Sequence, residues 1–299
     1  MSRASKYGIR ELRRDFPTNK ACLGFIFDAH HSRRCGCGGV FSLRKGRSSF
    51  RCGRCRKEVA PQKGTIFEKT KTPLTLWFHA LMMFSNAKSG LSAKELERNL
   101  AITYKCAWRM LSVIRSSLRQ GLERLSGVVE ADLAYLGGRK RSGKAHKHQS
   151  EAILSKPLAM GAIERGGRVR AQTVAGTGGI STRSFILSHV EPGSSLFTDK
   201  HGSFKALRDI YRMRYVNHSK KEYARGTVHV NTVESFWSHV KRSTRGTFKS
   251  VSKEHLQSYL DAFAFHYNNA GRDRQRFETL LQLVLLSGAR TRTVVSSSD

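Results

Sequence analysis

Three acidic residues are set apart by their surroundings. Asp132 interrupts the run Val-Glu-Ala-Asp-Leu-Ala-Tyr-Leu-Gly-Gly (129–138), and Asp199 closes an apolar run in Ser-Leu-Phe-Thr-Asp-Lys-His-Gly (195–202). A soluble strand avoids burying a carboxylate unless the carboxylate has a use. Glu234 follows on a segment of helical pattern. Three carboxylates brought together cannot all stay ionised cheaply, and a pair of divalent cations removes that cost. Hard oxygen donors favour Mg²⁺ or Mn²⁺, and two such ions suit in-line displacement at a phosphodiester. Glu130 shares a strand face with Asp132 by the two-residue period and is the main rival for the first ligand. The alternative is that all three are surface acids, among only 22 in the chain.

Asn231, Glu234, Ser238 and Lys241 fall at i, i+3, i+7 and i+10, one stripe of a helix. Lys241 is thereby offered two turns beyond Glu234, where a cation can neutralise a phosphate or donate to a leaving group. A solvated basic helix face is the plainer reading. Phe236 and Val240 belong to the opposite, core-facing side, and Trp237 is assigned to the core in preference to base stacking.

A second constellation is built from sulfur. Cys35, Cys37, Cys52 and Cys55 form two knuckles with the character of a Cys₄ zinc ribbon. Cys52-Gly-Arg-Cys55 is a good half-site, whereas Cys35-Gly-Cys37 has one spacer residue where two are usual, so His30 or His31 is a possible substitute ligand. A metal-free ribbon and redox chemistry are the other readings. Cys22 and Cys106 read as buried or idle. Gly138-x₄-Gly143-Lys144 mimics a phosphate-binding loop, but Ala145 stands where Ser or Thr is needed, and no ATP use is expected.

The elements that must carry these residues can be read from periodicity. Residues 1–72 are a basic, metal-stapled β module. From Pro73, Leu74, Trp77, Phe78, Leu81 and Met82 recur at helical spacing, Ser92 and Glu95 form a capping box for a helix Ser92–Leu100, and a third helix runs from about Thr103 to Leu122. This 73–127 segment reads as a helix-turn-helix, its third helix offering Lys105, Trp108, Arg109 and Arg115 to DNA. Strands follow at Val128–Leu136, Leu158–Glu164 and Val169–Val174. Then come helix Thr182–His189, strand Ser195–Asp199, helix Ser203–Tyr211, strand Met213–Asn217 and helix Asn231–Lys241. That βββαβαβα order over 128–270 is an α/β, RNase-H-like catalytic domain, whose first and fourth strands are neighbours. A helix Lys253–Asn269 closes it, and 271–299 is a C-terminal helix and a tail disordered from Thr291. The basic run Arg139, Lys140, Arg141, Lys144 is placed on a loop beside the acids, where it grips DNA or is merely solvated. His218 and His229 are either DNA contacts or structural.

With 54 Lys and Arg against 22 Asp and Glu, the formal net charge is +32, an excess that calls for a polyanionic partner and argues against a neutral metabolite. The apolar stretches are too short for a membrane helix, and no export signal is read at the N-terminus, so a reducing cytoplasm and metal rather than disulfides are expected.

The runs Val129–Arg139, Thr198–Phe204 and His229–Arg242, followed by Gly246-Thr-Phe and His255–Asn268, resemble the bacterial insertion-sequence transposases of the fifteen-ninety-five group, kin of the Merlin elements. The resemblance extends from about Cys35 to Asn268. It implies a DDE-type transposase with a trailing lysine, carried by Asp132, Asp199, Glu234 and Lys241, with Arg242 among the DNA contacts. It also implies double-stranded DNA as partner, cleavage of element ends and joining to target DNA, a homodimer on DNA, and a nucleoid-associated protein. Two departures exist: Leu133 stands where the family has a second acid, and Asn231 is a minor rival to Glu234 because parts of the family vary there. The competing readings are a catalytically reduced DNA-binding derivative and a structure-specific nuclease on the same fold.

Overall fold

The computed structural model describes residues 6–136, 156–199, 202–217 and 220–295. Arg139, Lys140, Arg141, Lys144, the mimic of a phosphate loop, and His218 lie outside the described residues. The chain divides into two compact units: Met1–Ala87, Ala93–Leu118 and Ala270–Asp299 in the first, and Lys88–Ser92 with Arg119–Asn269 in the second.

The first unit opens with two helices that the sequence reading missed, α1 (Ile9–Asp15) and α2 (Asn19–His30). The second has a conventional start: the Thr18 hydroxyl accepts the Ala21 amide at 3.2 Å, and Cys22, Leu23, Ile26 and Phe27 form its buried stripe. Three short antiparallel strands follow, β1 (Phe41–Leu43), β2 (Phe50–Cys52) and β3 (Glu58–Val59). Helices α3 (Leu74–Asn86), α4 (Ala93–Leu100) and α5 (Tyr104–Ser116) come next. Trp77, Phe78 and Leu81 of α3 are essentially inaccessible, which explains the strong apolar period there. The final helix runs to Val295, into the segment expected to be a disordered tail. Its residues Phe277, Leu280, Leu281, Val284 and Leu285 make the continuous buried stripe that justifies its length.

The second unit is a mixed sheet with helices on both faces. Strands β4 (Val128–Tyr135), β5 (Leu158–Glu164) and β6 (Val169–Val174) run antiparallel; α6 (Gly179–His189) leads to β7 (Ser195–Asp199), and β8 (Arg212–Val216) ends the sheet. The spatial order is β6-β5-β4-β7-β8, with β7 parallel to both β4 and β8. This is the arrangement expected of an RNase-H-like sheet. The helix expected over Ser203–Tyr211 is instead a short 3₁₀ helix, Gly202–Leu207. A small hairpin, β9 (Ala224–Arg225) with β10 (Val228–His229), precedes α7 (Asn231–Gly246) and α8 (Leu256–Asn268).

Strand period two sorts the core. Val129, Ala131 and Leu196 point to the layer holding Phe185 and Ile186 of α6, while Ala134, Ala159, Ile163 and Phe197 point to the layer holding Val233, Phe236, Trp237 and Val240 of α7. The α7 stripe recurs at i, i+3, i+4 and i+7, so one helical face is committed to the sheet. Asn231, Ser238 and Lys241 lie off that stripe and are exposed.

Candidate active site

On β4 the residues that face α7 are Val128, Glu130, Asp132 and Ala134. On β7 the corresponding face carries Phe197 and Asp199. The parallel register pairs Glu130 with Phe197 and Ala131 with Thr198, so the next step along both strands places Asp132 beside Asp199 on the α7 side of the sheet. From above, α7 presents half-buried Glu234 and exposed Lys241 from the flank of its sheet-facing stripe. The electrostatics register this convergence. Burial pushes the Asp132 carboxyl up to about 7, the charge of Asp199 adds to that, the Leu133 amide opposes it, Glu234 adds again, and Lys241 works in the lowering direction. Asp132 thus senses each of the other three residues singled out with it. The Leu133 amide donates to Asp132 Oδ1 at 2.7 Å.

Two devices seat α7 above the acids. Gly161, the cross-strand partner of Asp132 on β5, lies under the Trp237 ring; a Cβ there would stand 2.7 Å from Cζ2. The missing side chain is therefore the socket for an indole, and Trp237 is a core residue, 2% exposed, as expected. The other device is Glu130. It is wholly buried and accepts hydrogen bonds from the Thr232 amide (2.8 Å), the Val233 amide (3.2 Å), the Thr232 hydroxyl (3.0 Å) and Arg165 Nε (2.8 Å). The sequence reading missed this role and treated Glu130 only as a competitor for a cation. A pair of backbone amides at a helix start was the signal available, but it becomes visible only once β4 and α7 are in contact.

The sulfur cluster lies in the first unit. All four Sγ atoms of Cys35, Cys37, Cys52 and Cys55 lie within 4.8 Å of one another, with Cys35–Cys55 at 3.6 Å and Cys37–Cys52 at 3.5 Å. Tetrahedral zinc with sulfur at about 2.3 Å needs sulfur separations of roughly 3.8 Å, so the donor set fits that ion. The short Cys35-Gly-Cys37 spacer does not keep either sulfur out of the group, and neither His30 nor His31 joins it. Backbone N–H donation from Cys55, and then from Arg54, draws the Cys52 thiol down to about 6 despite desolvation. Among the described residues these cysteines are the one group that gathers three or more such donors at close range. Asp132 feels the charges of Asp199 and Glu234, but the three carboxylates are not drawn into a comparably tight cluster.

On α5, Lys105, Trp108 and Arg109 are exposed, at i, i+3 and i+4. Arg115 is not: it is 5% exposed and turned into the packed side of the helix with Leu111 and Ile114, so its assignment to a DNA contact is corrected. Arg242 is exposed on α7. His229 stands 3.3 Å from Glu130 through Nδ1, in a structural setting.

Residues 124–268 match the model of the ISXO2-like transposase domain. An uncharacterized transposase-like protein of Haemophilus influenzae is 31% identical over 101 residues, covering 33% of this chain and 79% of that protein. The chain belongs to the ISXO2-like transposase family. A further relative of this transposase is an uncharacterized protein in transposable element ISH50 of Halobacterium salinarum, 28% identical over 227 residues, which covers 72% of this chain and 76% of that protein. Among solved structures, the Mos1 strand transfer complex matches at 11% identity and a TM-score of 0.28, covering 72% of this chain and 77% of the other. A pre-cleavage Mos1 transpososome matches at 11% and 0.27, with 71% and 77% covered. Both likenesses are too distant to assign a role to any residue of this transposase. No helix among the described residues is long and apolar enough to cross a membrane.

Proposed function

We propose that this transposase cuts the ends of its own element and joins them to target DNA at a single site formed by Asp132, Asp199, Glu234 and Lys241. The observation that carries the reading is the β4–β7 register, which sets Asp132 beside Asp199 on the face under α7; there the half-buried Asp132 carboxyl is pushed up by burial and by the charges of Asp199 and Glu234, as at a site short of positive charge. The donor set is all carboxylate, which fits Mg²⁺ or Mn²⁺. Asp132, Asp199 and Glu234 would hold them, two ions in all, and bound divalent ions supply activation of the attacking oxygen and charge for the departing one. In the first step a water oxygen bonds to the scissile phosphorus as the bond to the 3′-oxygen breaks, leaving a 3′-hydroxyl. In the second that hydroxyl oxygen attacks a target phosphodiester and a target 3′-oxygen departs. Lys241 neutralises the scissile phosphate from the exposed stripe of α7, and Glu130 and Trp237 hold that stripe over the sheet. The proposed chemistry calls for no ATP.

Binding to double-stranded DNA follows from the net charge of +32, with Lys105, Trp108 and Arg109 of α5, Arg242 of α7 and the basic run 139–144 as the surfaces that meet it. In this reading α4 and α5 act as a helix-turn-helix, the four cysteines hold one zinc in a ribbon, and two chains pair two ends as a homodimer. The domains are then 1–72, 73–127, 128–270 and 271–299, working in the nucleoid. The test is cleavage of DNA carrying the inverted repeats that bracket the gene. Wild type should cut only with Mg²⁺ or Mn²⁺. Asp132→Ala, Asp199→Ala and Glu234→Ala should each bind the ends within a few fold and fail to cut; an Asp199→Ala protein that cuts at the wild-type rate refutes the site.

A further inference from the structure

Glu130 and Asp132 stand two residues apart on one face of β4, yet their surroundings are opposite. Each oxygen of a carboxylate has about two lone-pair positions. At Glu130, Oε2 accepts from the Thr232 and Val233 amides, and Oε1 accepts from Arg165 Nε and the Thr232 hydroxyl, with His229 Nδ1 at 3.3 Å. Its side chain is 0% exposed. No acceptor position remains for a cation. The two amides are those of the first turn of α7, whose own N-cap residue, Val230, has no side chain able to cap it. A carboxylate at that point satisfies otherwise orphaned amides and is favoured by the positive end of the helix dipole.

The same group is locked from behind. The Arg165 guanidinium lies over the Phe197 ring at 4.8 Å, and donates through Nη1 to the Thr227 carbonyl at 2.7 Å and through Nη2 to the His229 carbonyl at 3.1 Å. Arg165 therefore ties the chain entering α7 to the carboxylate that caps it. Glu234 follows Val233 directly, and Asp132 follows Glu130 by one strand repeat. Any slack in the Glu130 clamp is passed over less than one helical turn to the separation of Glu234 from Asp132.

We propose that Glu130 is a positioning residue that sets divalent-cation affinity by clamping the first turn of α7 to β4, and is not itself a ligand. This rests on the carboxylate site proposed above. The test compares zinc-loaded wild type with Glu130→Gln, a substitution of equal size whose amide must point an NH₂ at one or other set of donors. Hydrogen exchange at Thr232 and Val233 should quicken at least tenfold. The Mn²⁺ midpoint, read by calorimetry without DNA, should rise about tenfold, and lost cleavage should recover as Mn²⁺ is raised. Faster exchange with an unchanged Mn²⁺ midpoint would overturn the proposal, because the clamp would then be structural only. Complete loss of Mn²⁺ binding with unchanged exchange would also overturn it, because Glu130 would then be a ligand. If Glu130→Gln does not fold, Arg165→Lys carries the same comparison, with both shifts expected in the same direction and an unchanged midpoint counting against the clamp. Wild-type Mn²⁺ binding by Asp132→Ala would instead remove the carboxylate site, while leaving the exchange result at Thr232 and Val233 intact.

Discussion

The four cysteines and the three acids gather like donors by opposite means. Cys35, Cys37, Cys52 and Cys55 come from one short stretch, and their sulfurs close to ligand spacing on their own. Neutral thiols can crowd without penalty, and backbone amides already favour the thiolate of Cys52. Asp132, Asp199 and Glu234 come from two strands and a helix; the Asp132 carboxyl senses the charges of the other two, and the three are not drawn into a comparable knot. Carboxylates repel at neutral pH, so the sheet, the Gly161 socket and the Glu130 clamp must hold them near each other. The sulfur cluster is made by local chain geometry, and the proposed carboxylate site by the fold.

The largest effect expected from this contrast is on the sulfur side. Structural zinc contributes about 10–16 kcal/mol of apparent binding energy in small domains. Purified protein should carry about one zinc per chain, and Cys52→Ser should lose it together with end-specific DNA binding, as read by metal analysis and filter binding. Stoichiometric metal in a Cys52→Ser, Cys55→Ser double variant would break the comparison at its first term.

Next is the cost of crowding the acids. The folded-state value for Asp132, about 7 against an ordinary 3.8, means the folded protein keeps a proton that the unfolded chain releases between those pH values. The Asp132 contribution to stability without magnesium should therefore be fully present below about pH 4 and be lost as pH rises to about 7, by roughly 4 kcal/mol for a shift of about three pH units. Asp132→Asn should remove that slope. Thermal melts of zinc-loaded protein at pH 5 and pH 8 should show the variant gaining on wild type at the higher pH, and added Mg²⁺ should restore wild type only.

Gly161→Ala probes the socket. Overpacking a core by one methyl costs about 1–3 kcal/mol, and here the pressure falls on Trp237. Denaturant midpoints should drop by that amount, and cleavage should fall with them while zinc content is unchanged. The smallest effect is at Lys241. Lys241→Ala should slow cleavage or joining at least about tenfold, roughly 1.4 kcal/mol, with end affinity changed much less. Lys253→Ala, exposed on the segment before α8, is the matched control. Equal small effects from both would return Lys241 to a solvated face.

What could be read from the sequence follows the same division. The cysteine group was legible because its spacing is local, and the strand order because apolar runs and turns alternate clearly from Val128 onward. Asp132 and Asp199 were legible as acids in apolar runs. Helices α1 and α2 are hidden by the basic composition and cysteine spacing of 1–72, which are those of a β module, although Cys22, Leu23, Ile26 and Phe27 carry a helical stripe. Arg115 was misread because charge on a helix suggests an outward face, whereas its side chain is buried on the side of Leu111 and Ile114. Glu130 was misjudged because strand period two gives its face and says nothing of the α7 amides that occupy it.

The central claim, that the three acids hold divalent cations, is tested most directly by replacing Mg²⁺ with Fe²⁺ in zinc-loaded protein and letting peroxide and ascorbate cut the chain around the bound iron. Backbone breaks should cluster at Asp132, Asp199 and Glu234, disappear when Mg²⁺ competes, and be lost in Asp199→Ala. Breaks that fall elsewhere, or that persist unchanged in Asp199→Ala, would contradict the account.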